Sequence, residues 1–246
     1  MRAMPSKHLP PFVNAQIGRL SLALLAIALV WDISGLDRTS MQWFGSPDGF
    51  ALRHHWLLER VLHDAMRHAA TAVQLALALM VVWPLGRMRD LAAWERVSIV
   101  VGSTLALLAV NWIKRNSATS CPWELTDFGG VAQYVSHWSW GLNDGGTGHC
   151  FPGGHASAAL ALVAVPLPWL SSLRPEARSL GKKLMLAVAL MGLLLGMTQT
   201  LRGAHYPSHT LWTAVVCCWV AALNHGCFTL WVRHRARPRE VMGVSS

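Results

Sequence analysis

His205 and His209 stand four residues apart in the run Arg202-Gly203-Ala204-His205-Tyr206-Pro207-Ser208-His209. On a helix that spacing is about one turn, so one ring can hydrogen-bond the other and set its tautomer. Imidazole titrates near neutral pH and can attack phosphorus or protonate a leaving oxygen. A further histidine, His155, closes Pro152-Gly153-Gly154-His155, and Lys114 lies in Asn111-Trp112-Ile113-Lys114-Arg115. Two helix starts with free backbone N–H groups, joined by Lys114 and Arg202, make a cradle for an anion, because the N–H groups and the helix dipole both favour a phosphate. The rival reading makes His205 and His209 a transition-metal pair completed by His155, His149, Glu124 or Asp127. Taken singly, Lys114 also suits a snorkelling anchor and Pro-Gly-Gly a plain turn. Their convergence on one side of a membrane is what favours a phosphate site.

That convergence depends on the elements that carry them. Of 246 residues, 53% are hydrophobic and only 13% charged, with 13 tryptophans. Soluble chains carry about 25% charged residues, so neither disorder nor an ordinary soluble domain fits. Mean hydropathy is +0.34, and apolar runs recur at 17–31, 69–83, 97–113, 155–170, 184–200 and 211–232. They predict an all-α, polytopic bundle of six spans, one integral membrane domain over 1–246, with the second and fourth spans near the short limit. No cleavage pattern follows the basic N-terminus, so the first span is expected to stay in the mature chain.

With the N-terminus inside, the inner segments hold fourteen basic residues against four acids, and the outer segments seven against eight. The positive-inside rule therefore predicts both termini in the cytoplasm, with 233–246 a basic cytoplasmic tail near anionic lipid. The +9 net charge is thereby assigned to topology, and nucleic acid is not an expected partner. The inner connections are short. The outside carries a loop over 36–66 and a longer one after the third span, the second rich in glycine, tryptophan and polar residues. An amphipathic helix over 52–67, with Trp56, Leu57, Val61 and Leu62 near one face, is expected to lie at the interface. His55, Glu59 and His63 recur along it at four-residue steps and are read as a solvated face, the alternative being a row that lines a site or binds a metal.

These residues resemble the type-2 phosphatidic-acid phosphatase superfamily, in its membrane lipid phosphatase branch, whose motifs are K-x6-R-P, P-S-G-H and S-R-x5-H-x3-D. Lys114-x6-Cys121-Pro122 is similar to the first, Pro152-Gly153-Gly154-His155 to the second and Thr198-Gln199-x5-His205-x3-His209 to the third. Cys121 stands where the family has arginine, Gly153 for serine, Gln199 for arginine and His209 for aspartate. The motif-bearing part covers about 97–232. The resemblance implies that His205 attacks the phosphoryl group to give a phosphohistidine and that His155 protonates the leaving group. Lys114 and the backbone of Gly153 and Gly154 then hold the phosphate oxygens. Neutral His209 can accept the hydrogen bond of the missing aspartate without supplying its charge, and Arg202, three residues before His205, is expected to replace the missing arginine from a neighbouring turn, an inference from its position and not from the family motif.

Cys121 and Cys150 lie beside the first and second of these segments, and in an oxidising bacterial periplasm they are expected to form a disulfide that ties the two halves of the site together. Cys217, Cys218 and Cys227 are expected to be apolar packing residues of the sixth span. A site at the outer membrane surface, near Trp43, Phe44 and Trp56, suits a lipid whose phosphate sits at headgroup level. The resemblance admits phosphatidic acid, phosphatidylglycerol phosphate, undecaprenyl diphosphate and lipid A phosphate. Cofactors are expected to be none, and no metal. A lipid phosphotransferase and a non-catalytic lipid-phosphate binding or transport protein are the other readings of the same residues, and oligomeric state is not legible.

Overall fold

The computed structural model of the protein describes residues 12–139 and 141–241, with side chains described from 17 to 235. Arg2 and Lys7, residues 242–246 and the tail side chains beyond 235 lie outside that description. In hydrocarbon every backbone N–H and C=O needs a partner within the protein, and an apolar helix supplies them within its own length. The chain accordingly runs as helices: α1 (Phe12–Ser34), α2 (Leu36–Met41), α3 (Met66–Val82), α4 (Ala93–Arg115), α5 (Ser157–Leu160), α6 (Leu167–Leu170), α7 (Pro175–Leu201) and α8 (Pro207–Val241). A small antiparallel hairpin, β1 (Gly45–Ser46) and β2 (Gly49–Phe50), follows α2.

Among the described residues five helical stretches are long and apolar enough to cross a membrane: Ile17–Ser34, Leu57–Asp90, Ala93–Arg115, Pro175–Leu201 and Pro207–Arg235. The expected fourth span is not one of them. Residues 155–170 instead form α5, a 3-10 turn at Ala161–Ala164 and α6, interrupted by Pro166 and Pro168. The segment still carries the chain through the bundle as a broken helix: Gly153 is bonded to His209 at the start of α8, whereas Ser171 meets His225 about four turns further along it, so α7 can begin at the far end and return to the site at Leu201. It does so inside the bundle, since Ala156, Leu160, Ala161, Val163, Ala164 and Leu167 are all buried against the other helices.

A second departure concerns residues 52–67. Leu57–Ala65 form wide π-helical turns that run without a break into α3, so the expected separate helix is the extended end of the second span. The shortness of that span in the hydropathy pattern is made up in this way. α4 and α8 form the centre of the bundle, where Ala106, Val110 and Ala221 meet the α5–α6 segment; small side chains let helix backbones approach closely. Asn224 adds a polar tie, donating from Nδ2 to the Ser98 carbonyl at 2.8 Å. Cys217 is sealed in this core and Cys218 is half-buried, but Cys227 lies on the exposed face of α8 rather than packing inward.

Candidate active site

The site is built around the turn between α7 and α8. α7 ends at Leu201, and Gly203 takes a left-handed φ of +73° that lets the Gly203, Ala204 and His205 N–H groups bond back to the carbonyls of Thr200 and Gln199, a glycine-dependent helix stop. A side chain at Gly203 would also run into Phe50. α8 restarts at Pro207, and Ser208 donates its backbone N–H (3.0 Å) and its hydroxyl to the buried carboxylate of Asp37 on α2. Trp31 Nε1 donates to the same carboxylate at 2.7 Å. A carboxylate from another helix thus caps α8 at the turn that bears the two histidines.

His205 Nδ1 lies 3.4 Å from His209 Nδ1 and 3.4 Å from Cys150 Sγ. Of two neutral rings one donates through Nδ1 to the other, and with His205 as that donor its Nε2 carries the lone pair. His205 Nε2 has no hydrogen-bond partner among the described residues and is not sealed from solvent. His209 is fully buried, and its Nε2 has no conventional partner. Its ring meets Phe151, Tyr206 and His137 edge-to-face, with centroids 5.2, 5.1 and 5.9 Å away, a setting where an N–H can point at a ring face. His137 in turn donates to Asp32 on α1 at 3.2 Å, as do Trp138 and Trp212 at 2.9 and 2.7 Å.

The expected disulfide is present: Cys121 and Cys150 are bonded, with Cα atoms 5.2 Å apart. It joins the segment after α4 to the residues before Pro152 and places a sulfur against the His205 ring. Gly153 donates its N–H to the His209 carbonyl at 3.1 Å and accepts from Thr213 Oγ1 at 3.0 Å. Its N–H is therefore spent on holding the Gly-Gly turn to α8 and is not available to an anion. The N–H groups of Gly154, His155 and Ala156 have no partner among the described residues. Lys114 reaches this turn, and a Cβ at Gly154 would stand only 3.2 Å from Lys114 Nζ. Lys114 has no carboxylate partner among the described residues.

The wide turns of Leu57–Ala65 close the other side. His155 Nε2 donates to the Leu62 carbonyl at 2.8 Å, and the His63 ring stacks on His155 at 4.3 Å. Arg202 pairs with Glu59 at 3.2 Å and donates from Nε to the Arg53 carbonyl at 2.9 Å. Glu59 and His63 therefore belong to the site rather than to a solvated face, whereas His55 is exposed and stacks on Trp56. The four-residue rhythm of His55, Glu59 and His63 was the signal that could find the pair, but amphipathic solvated helices carry the same rhythm. Gln199 is buried beside Arg202, with Oε1 3.5 Å from Arg202 Nη1 and Nε2 without a partner among the described residues.

Burial dominates the electrostatics. It holds His205 well below the ordinary histidine value, with the charge of Lys114 adding to the effect. It pushes His155 down to about 4, against the pull of the Leu62 carbonyl. Both rings are neutral at pH 7, as a nucleophile must be. Among the described residues a metal reading of His205 and His209 has no free third ligand in place. His155 is held by Leu62, His149 Nδ1 by the Lys114 carbonyl, Glu124 by the Cys121 N–H, and Asp127 by Arg38. The ligand atoms that do converge with His205 are Cys121 and Cys150, whose sulfurs are spent on each other.

An unpaired lysine, neutral buried histidines and unspent N–H groups at one end of a helical bundle suit a phosphate ester, the substrate of membrane-embedded phosphoesterases. The chain belongs to one such family, the PAP2 superfamily, whose sequence profile matches residues 95–233. Membership makes it a phosphatase-type enzyme acting on phosphate esters. Comparison with curated proteins and with solved structures returns no match.

Proposed function

We propose that the protein is a lipid phosphatase that hydrolyses a lipid phosphate or diphosphate through a phosphohistidine on His205. The observation that carries this reading is the pairing of His205 Nδ1 with His209 Nδ1 at 3.4 Å, which leaves His205 Nε2 free to attack beside the uncompensated charge of Lys114. Nε2 bonds to phosphorus as the ester P–O bond breaks; the leaving oxygen takes a proton from His155, and water then cleaves the P–N bond. A phosphate dianion arriving beside His155 in place of the Leu62 carbonyl raises the ring's proton affinity, so His155 can enter that step protonated. Lys114, Arg202 and the Gly154 N–H hold the phosphate oxygens in this reading.

Phosphatidic acid, phosphatidylglycerol phosphate, undecaprenyl diphosphate and lipid A phosphate are the substrate candidates. The excess of basic residues on one set of connections supports a bacterial inner-membrane protein with cytoplasmic termini and a periplasmic site, in which a single membrane domain carries the 36–66 segment and the 233–246 tail. Phosphate release by purified protein in detergent with EDTA, across those four lipids and beside His205→Ala, is the test. Release that survives chelation and vanishes in the variant supports the reading. Binding of a lipid without release from any of them favours the phosphotransferase or the binding protein.

A further inference from the structure

We infer that Glu59 is the resident anion of the phosphate site, holding Arg202 between turnovers and giving way to the incoming phosphate. This rests on the reading above in which Arg202 is a phosphate ligand. Arg202 is almost wholly buried, with 6% of its side chain exposed against 36% for Glu59. A guanidinium offers a planar fork that matches phosphate with two parallel bonds. Here Nη2 meets one carboxylate oxygen at 3.2 Å, Nε takes a backbone carbonyl at 2.9 Å, and Nη1 reaches Gln199 only at 3.5 Å. Beside it the Gln199 amide nitrogen is buried with no partner among the described residues, a donor open to a ligand.

The same short segment occupies His155. Leu62 O accepts from His155 Nε2 at 2.8 Å, and His63 lies on the ring face, so a phosphate that reaches both His155 and Arg202 displaces Glu59 and Leu62 together. The segment is built from wide π-helical turns, which occur as local irregularities at functional sites. The other contact that the Glu59 carboxylate makes is loose: His54 Nδ1 lies 3.5 Å from Glu59 Oε2, with 76% of the His54 side chain exposed. Trp56, Leu57 and Val61 are exposed, and Leu58 is the buried apolar side chain of the segment among the described residues. A carboxylate is a single negative charge and a phosphate monoester carries up to two. The exchange therefore favours substrate on arrival, and the returning carboxylate helps expel inorganic phosphate after hydrolysis.

A purely structural ion pair predicts the opposite sign: without Glu59 the guanidinium loses its support and phosphate binds no better. Equilibrium dialysis of radiolabelled inorganic phosphate against the purified full-length protein in detergent separates the two. In Glu59→Gln the phosphate Kd is expected to fall about tenfold, the worth of one charge-assisted hydrogen bond no longer competing, and inorganic phosphate is expected to inhibit correspondingly more strongly. A Kd that is unchanged or weaker, or no phosphate binding by either protein, overturns the inference. Should Glu59→Gln fail to fold, Glu59→Asp, whose shorter carboxylate reaches Arg202 less well, is expected to tighten phosphate by a smaller factor, and failure to do so has the same force. If dialysis shows the tightening while no lipid yields phosphate, the resident anion stands and the phosphatase reading falls. If lipids are hydrolysed and the Kd does not move, the reverse holds.

Discussion

His205 Nδ1 faces His209 Nδ1 across 3.4 Å, one turn apart on the approach to α8, where the family places an aspartate. A neutral ring can fix the tautomer of its neighbour but brings no charge to stabilise the imidazolium or phosphohistidine that forms. His209→Ala is therefore expected to lower kcat by about 10²-fold, the lower range for a positioned acid–base partner. His209→Asp is expected to keep kcat at or above that of the parent. Initial rates of phosphate release check both, and a His209→Ala enzyme as fast as the parent contradicts the positioning role.

The Cys121–Cys150 disulfide places Cys150 Sγ 3.4 Å from His205 Nδ1. The bond closes a loop with a sequence separation of 29, for which chain-entropy arguments give about 3–4 kcal/mol of stabilisation. The double variant Cys121→Ser/Cys150→Ser is expected to melt at a lower temperature and to turn over more slowly, because the ring loses its neighbour. Thermal unfolding and rates measured before and after thiol reduction of the parent should agree with the variant. A reduced parent with unchanged rate removes the disulfide from the site's mechanics.

Acid should destabilise the fold through the buried histidines. His155 is held below its ordinary value of 6.5, at about 4, and His205 is depressed in the same direction. A depressed pKa means that the unfolded chain binds the proton more readily. The stability these rings contribute is complete above about pH 6.5 and is lost as the pH falls toward 4, at up to about 1.4 kcal/mol per pH unit for each proton taken up. Unfolding midpoints across that range should show the slope, and His155→Gln should flatten part of it. A parent profile that stays level from 6.5 to 4 contradicts the buried neutral rings.

Asp37 is 6% exposed and receives the Ser208 N–H, the Ser208 hydroxyl and Trp31 Nε1. Burial raises its pKa while these donors oppose the rise. Asp37→Ala leaves the buried donors of Ser208 and the half-buried Trp31 Nε1 without this acceptor, at a cost of about 1–3 kcal/mol. Because the capped turn carries His205 and His209, turnover is expected to fall with stability, and Asp37→Asn is expected to be milder. Circular dichroism melts and initial rates on the same preparations check this, and an Asp37→Ala protein that melts with the parent contradicts the cap.

Much of this was legible in the chain alone. Hydropathy gave the helical membrane class, since a backbone in hydrocarbon has few other ways to satisfy its polar groups. Lys114, His155 and His205 could be placed at one end of the bundle because each adjoins the end of an apolar run. Cys121 and Cys150 could be paired because they lie in the same outer loop, beside the first and second motif-like segments. The run at 155–170 was legible as an apolar passage but not as a broken helix in the middle of the bundle, because a segment buried by its neighbours is as apolar as one facing lipid and only packing tells the two apart. Nor could composition show that Gly153 spends its N–H on His209, that Asp37 caps α8 from another helix, or that Glu59 sits on Arg202 across 143 residues. Periodicity fixes which side of a helix a residue faces, and only the tertiary fold decides what that side meets.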